Sequence, residues 1–182
     1  IIMRILIGVC GGIAEYKSAE VVSKLVQAGC EVDVCMTPQA ERFITALTFS
    51  ALTGRPTQTQ EQVSQDSLVQ TYAHLYPATE VDVFVLVPAT ANTIGTIANG
   101  LGIEPVSNGA LSLSEDCKRI YCPAMNTHMW QQPAVQRNCK QLQEDGWMAI
   151  GPESGRLACG SLGMGRLADT EIIIEKILQQ KG

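Results

Sequence analysis

The chain has 182 residues, 46% hydrophobic and 17% charged, with a formal net charge of −5. That length suits one domain spanning 1–182 with a sizeable core, and the acidic balance with no basic face argues against a nucleic-acid partner. No apolar run approaches the roughly 18 residues of a membrane span.

The opening Ile1 to Ile7 lacks a basic n-region and a cleavage site. It reads as a first strand rather than a signal peptide, with Met3 a candidate start. The seven cysteines (10, 30, 35, 117, 122, 139 and 159) are odd in number and form no CxxC pair. Reduced thiols in the cytosol are the expectation. The two histidines have no Cys or His partner at ligand spacing, so no metal site is expected.

Arg4 to Cys10 is a continuous apolar run, as in a parallel strand buried on both faces. Gly11-Gly12 breaks it, and Ala19, Val22, Leu25 and Val26 then follow helical spacing up to Gly29. A strand, a glycine turn and a helix can present amides to a phosphate, although an unliganded turn has the same pattern. Glu31 to Met36 reads as the second strand. It ends in Thr37-Pro38, a candidate N-cap and first-turn proline, and not in the acidic residue that holds a dinucleotide ribose. A mononucleotide fits better. Helical spacing continues through Phe43, Ile44, Leu47 and Leu52 with a break, and ends at Gly54.

Residues 57–70 hold five glutamines and read as surface loop with some helix. His74 follows, and a lone histidine is more often structural than catalytic. Val81 to Val87 is the most strand-like run in the chain. Pro88-Ala89-Thr90-Ala91-Asn92-Thr93 opens a helix to Gly100, its hydroxyls suited to an anion or to ordinary capping. Pro105, Asn108-Gly109 and Glu115-Asp116 predict turns around a short helix. After Ile120-Tyr121-Cys122, a strand end, comes Pro123-Ala124-Met125-Asn126-Thr127-His128-Met129-Trp130. Asn126 caps a helix and Met125, Met129 and Trp130 fill core in one reading; in the other, the Asn126 amide donates to a ligand past the strand end. A helix over 133–145 and a strand at Trp147 to Ile150 come next. Gly155 to Arg166, with four glycines, is a poor helix and a poor strand, hence a linker or a flap over a substrate. An amphipathic helix closes the chain at Ile172 to Leu178. Alternating strands and helices predict one doubly wound, mostly parallel sheet of Rossmann-like or flavodoxin-like type, with three strand ends contributing to one site.

Those turns together resemble the flavin-containing cysteine decarboxylases. The matching pieces are Gly8 to Lys17, Pro88 to Thr93, Pro123 to Trp130 with its PxMNxxMW pattern, and Ala158-Cys159-Gly160 with Gly163, Gly165 and Arg166. They occur in the family's order and cover nearly the whole chain. The chain departs from the family pattern at Cys10, where Ser or Thr is common, at Leu101 to Pro105, and at Leu75 to Glu80.

The resemblance implies FMN held by Gly11, Gly12, Ile13, Thr37, Phe43, Thr90, Asn92, Thr93, Ala124 and Met125. It implies catalytic roles for His74, Asn126 and Cys159. Substrate contacts fall to Asn126, Met129, Ala158, Gly160 and Arg166. It further implies a homotrimer, alone or within a dodecamer. The expected reaction is decarboxylation of phosphopantothenoylcysteine to phosphopantetheine in coenzyme A synthesis. The thiol carbon is oxidised first, so that the carboxylate lies β to C=S; His74 handles a proton, Asn126 holds the carboxylate and Cys159 protonates the product. Two alternatives remain. One is decarboxylation of a C-terminal peptidyl cysteine, which needs no reducing cysteine; the other is a non-catalytic regulatory flavoprotein.

Overall fold

The computed structural model describes residues 2–61 and 77–181. Five strands, β1 (Arg4–Val9), β2 (Glu31–Met36), β3 (Val83–Ala89), β4 (Lys118–Pro123) and β5 (Trp147–Ala149), pair in parallel in the order β2-β1-β3-β4-β5. The order reverses between β1 and β3, and an open parallel sheet binds ligands beyond the carboxyl ends of the strands at such a point.

The two-residue period of each strand divides the core in two. Ile5, Ile7 and Val9 of β1, with Val83, Val85 and Val87 of β3, face helices α1 (Tyr16–Gln27), α2 (Ala46–Thr53) and α7 (Thr170–Leu178). Leu6 of β1, with Phe84 and Leu86 of β3, faces α3 (Ala91–Ala98), α4 (Pro105–Leu111) and α6 (Pro133–Glu144). Burial on both faces is why these strands read as unbroken apolar runs. Trp147 closes the second core, edge-on to Phe84 at 5.8 Å and to Tyr121 at 6.5 Å. The result is the three-layer, doubly wound α/β architecture of the sequence expectation. Among the described residues no helix is long and apolar enough to cross a membrane.

Several local expectations are corrected. Thr37 does not open an α-helix. Its Oγ1 accepts from the Ala40 amide at 3.2 Å ahead of a 3-10 turn at Ala40–Arg42 whose N-cap is Gln39, and α2 begins only at Ala46, after an extended Thr45. Residues 57–59 are not surface loop: Thr57 and Thr59 are buried, and Gln58 lies alongside β2, donating to Val34 at 2.8 Å and accepting from Met36 at 2.9 Å. Polar composition misled here because the backbone, and not the side chains, makes those contacts. Asn108-Gly109 is no turn. It lies inside α4, whose start is fixed by the Glu104 carboxylate accepting from the Val106 and Ser107 amides at 2.8 and 2.9 Å. Residues 155–166 belong to an antiparallel hairpin, β6 (Glu153–Arg156) with β7 (Leu162–Arg166).

Candidate functional site

The carboxyl ends of β1, β3 and β4 open into a cavity of about 1190 Å³, which the hairpin also borders. At one end, β1 passes into Gly11-Gly12 and a 3-10 turn at Ile13–Glu15 before α1. A Cβ at position 11 would lie 2.6 Å from the Gln39 carbonyl carbon, so only glycine lets these two chain segments meet. Beside this turn, Thr90 caps α3: its Oγ1 accepts from the Thr93 amide and donates to the Thr93 hydroxyl, both at 3.3 Å. Glycine amides, helix starts and hydroxyls grouped in this way are the elements from which an anion cradle can be built.

At the other end β4 delivers Asn126. Its Oδ1 accepts from the His128 amide at 2.8 Å and caps the short helix α5 (Thr127–Trp130), so the capping reading is correct. Its Nδ2 is not used by the cap and borders the cavity, where it donates to the Cys159 sulfur at 3.7 Å. The two readings of Asn126 are compatible because one amide has two ends. Met129 is 48% exposed and borders the cavity, so it is not core filler.

The hairpin is pinned to this turn. The Met125 amide donates to the Gly165 carbonyl at 2.9 Å, and Gly165 has φ +131°, where a side chain would run into the Met125 carbonyl oxygen. Cys159 occupies the hairpin tip, exposed, with its sulfur 3.0 Å from Ser161 Oγ. Hydrogen bonds from the Ser161 side chain and backbone, and from Asn126, hold its thiol below the usual cysteine range. The other six cysteines go the other way. Burial pushes Cys10 up to about 12 and Cys117 up to about 11, and raises Cys30, Cys35, Cys122 and Cys139 as well.

Of the residues expected at a site, Gly11, Gly12, Ile13, Thr37, Thr90, Asn92, Thr93, Ala124, Met125, Asn126, Met129, Ala158, Cys159 and Arg166 line the cavity. Phe43 and Gly160 do not; Phe43 is 49% exposed elsewhere. The Arg166 guanidinium is engaged with Glu153 at 2.8 Å and so is not an unpaired cation. His74 lies outside the described residues. Lys17, Gln39, Glu104 and Arg156 also line the cavity and were not singled out from the sequence. For Lys17 a signal existed, three residues after Ala14 at the mouth of a glycine turn. Glu104 and Gln39 reach the cavity only through tertiary packing.

A model of the flavoprotein family matches residues 2–182. The chain belongs to the flavoprotein family. Within it, the chain is 38% identical over 177 residues to a probable phosphopantothenoylcysteine decarboxylase of Streptococcus mutans, covering 97% of this chain and 98% of that one. It is 42% identical to a coenzyme A biosynthesis bifunctional protein of Bacillus subtilis over 94% of its own length, and spans 41% of that protein. Among solved structures it resembles a cysteine-to-serine mutant of PPC decarboxylase complexed with pantothenoylaminoethenethiol, with TM-score 0.89, 26% identity and 98% of each chain covered. It also resembles the FMN-dependent cysteine decarboxylase SpaF, with TM-score 0.82, 30% identity and 99% and 98% of the two chains covered.

Proposed function

We propose that this flavoprotein binds FMN and decarboxylates phosphopantothenoylcysteine to phosphopantetheine. The observation that carries the reading is Asn126 and Cys159 meeting at 3.7 Å across one cavity whose far end is an anion cradle. A carboxylate holder and an exposed acidic thiol at one end, with phosphate donors at the other, suit a cofactor and substrate bound side by side.

The residues fit FMN. Gly12, Ile13 and Thr90 line a cavity large enough for the cofactor and part of a substrate, which supports this reading. Glu104 lines the cavity, but its carboxylate is occupied by two amides. Gly11, Gly12, Ile13, Thr37, Thr90, Asn92, Thr93, Ala124 and Met125 would hold the group. When bound, FMN would supply a two-electron acceptor and donor for the thiol-bearing carbon, so that the carboxylate comes to lie β to C=S and can depart as carbon dioxide.

The chain's own residues do the rest. Asn126 donates its Nδ2–H to the substrate carboxylate while Oδ1 keeps α5 in place, which fixes the direction of the donor. Cys159, its thiol made more acidic by the hydrogen bonds from Ser161, gives that thiol proton to the carbon that is saturated at the end. We assign His74 to proton transfer on the family resemblance alone. Arg156 and Lys17, which both line the cavity, offer cationic partners for a substrate phosphate.

We also propose that residues 1–182 act as one FMN-binding domain in a homotrimer, alone or within a dodecamer. What supports a subunit contact is the exposure of large apolar side chains, Ile13 at 62% and Tyr16 at 63% on the cavity wall and Phe43 at 49% and Leu47 at 77% outside it. Seven free cysteines support a reducing, cytosolic setting.

The test is incubation of the flavin-loaded protein with phosphopantothenoylcysteine and, separately, with a peptide ending in cysteine, followed by mass spectrometry. Loss of carbon dioxide alone from the small substrate, with the peptide untouched, is the expected result. A peptide that loses carbon dioxide and two hydrogens would transfer the protein to peptide modification. Inertness towards both would leave a binding role.

A further inference from the structure

Glu15 ends the 3-10 turn that follows Gly11-Gly12, and its amide donates to the Gly12 carbonyl at 2.9 Å. Its side chain is fully buried, and neither carboxylate oxygen has a hydrogen-bond partner. It does not line the cavity; it lies directly behind the turn that does. The backbones of Gly12 and Ile44 approach the carboxylate closely enough to favour its charged form, without closing a hydrogen bond. A buried carboxylate without partners is among the costliest arrangements in a protein interior. A carboxylic acid in that place costs far less.

Among the described residues no charge stands opposite it. β3 and α2 carry no titratable side chain, and Cys10, at the end of β1, is itself neutral. Glu104, which also faces Cys10, is occupied by its two amides. On α1, Lys17 and Tyr16 open onto the cavity, and Glu20 accepts from the Thr170 hydroxyl at 3.1 Å. On the 3-10 turn at 40–42, Arg42 is exposed and donates to Gln39 at 3.3 Å, and Glu41 is half-buried.

We propose that Glu15 is a positioning residue that couples cofactor retention to its own charge: uncharged, it leaves the turn's amides to the anionic end of FMN, and ionised, it competes with that anion for them. The inference rests on the FMN reading above. Burial supports it independently, holding the Glu15 proton up to about 8. Binding of FMN to the ionised protein therefore takes up a proton at the Glu15 carboxylate.

The experiment measures the dissociation constant of FMN for flavin-stripped protein by fluorescence quenching between about pH 6 and pH 9, in the wild type and in Glu15→Gln. The wild-type constant should match the variant's at low pH, then weaken relative to it by up to about tenfold per pH unit above the Glu15 titration. Riboflavin, which lacks the phosphate, should show no such divergence. Parallel FMN curves would overturn the inference. Should Glu15→Gln not fold, calorimetry on the wild type in two buffers of different ionisation enthalpy decides: proton uptake with FMN near pH 8, and not near pH 6, is expected, and no uptake at either overturns it. Failure of FMN and riboflavin to bind at any pH would sink the flavin reading itself, a different result from parallel curves.

Discussion

Asn126 and Cys159 stand 33 positions apart in sequence, and the side-chain nitrogen of one lies 3.7 Å from the sulfur of the other. The contact joins the turn after β4 to the tip of the hairpin, so the placement of the hairpin decides whether the two side chains meet. The hairpin is held at its base by the Met125 amide on Gly165 and by Glu153 between Arg166 and the Asp169 amide.

Cys159 should alkylate faster than any other cysteine. Its thiol is held below the ordinary range while the other six are raised, so iodoacetamide near pH 7 should label one site. Ser161→Ala removes the main hydrogen bond and should shift the midpoint of the rate–pH profile upward. Peptide mapping of the labelled protein checks both. In the proposed reaction, Cys159→Ser should release product short of carbon dioxide and two hydrogens; recovery of the saturated thiol would contradict the role given to Cys159.

Asn126→Asp keeps an oxygen for the His128 amide but replaces the Nδ2–H donor with negative charge. The fold should persist, while kcat/KM should fall by about 10²–10³-fold, the scale for loss of a single directed donor. Circular dichroism alongside steady-state kinetics separates the two. Equal loss of folding and activity would make Asn126 a cap and nothing more.

Gly11→Ala would place a methyl against the Gln39 backbone, which cannot swing aside as a side chain would. We expect a stability loss of about 1–3 kcal/mol, by analogy with overpacking elsewhere. We also expect weakened flavin retention, since residue 11 begins the cradle. Urea unfolding and the flavin-to-protein absorbance ratio report the two effects.

The stability of the flavin-free protein should decline with pH because of Glu15. In the unfolded chain this carboxyl loses its proton near the ordinary value of 4.5; in the folded protein it keeps it up to about 8. Folding therefore takes up a proton between those values, and stability falls as pH rises through that window and levels off above it. Glu15→Gln should flatten this part of the Tm–pH curve and raise Tm more at about pH 8 than at about pH 5. Identical slopes for the two proteins would rule the titration out.

The sheet and its helices were legible because their causes are local. A strand buried on both faces is an unbroken apolar run, and α1, α3 and α6 each carry an apolar stripe and end at a glycine or an Asn-Gly pair. The same holds for the turns after β1, β3 and β4, where small and hydroxyl residues follow strand ends. By itself the sequence determined a doubly wound α/β fold with a site at those three ends. Tertiary structure decided the rest. Residues 153–166 carry no strand pattern, because β7 packs its glycines 163 and 165 against the 125–127 turn, where a side chain would collide, and β6 pairs with β7 through main-chain groups. Gln58 pairs with β2 through main-chain groups that every residue has, so its side chain announces nothing. Glu15 looks like any surface acid on a helix start until tertiary packing, with the chain at Ile44 close by, buries it. Burial is a property of what comes to lie nearby, and distant segments supply it.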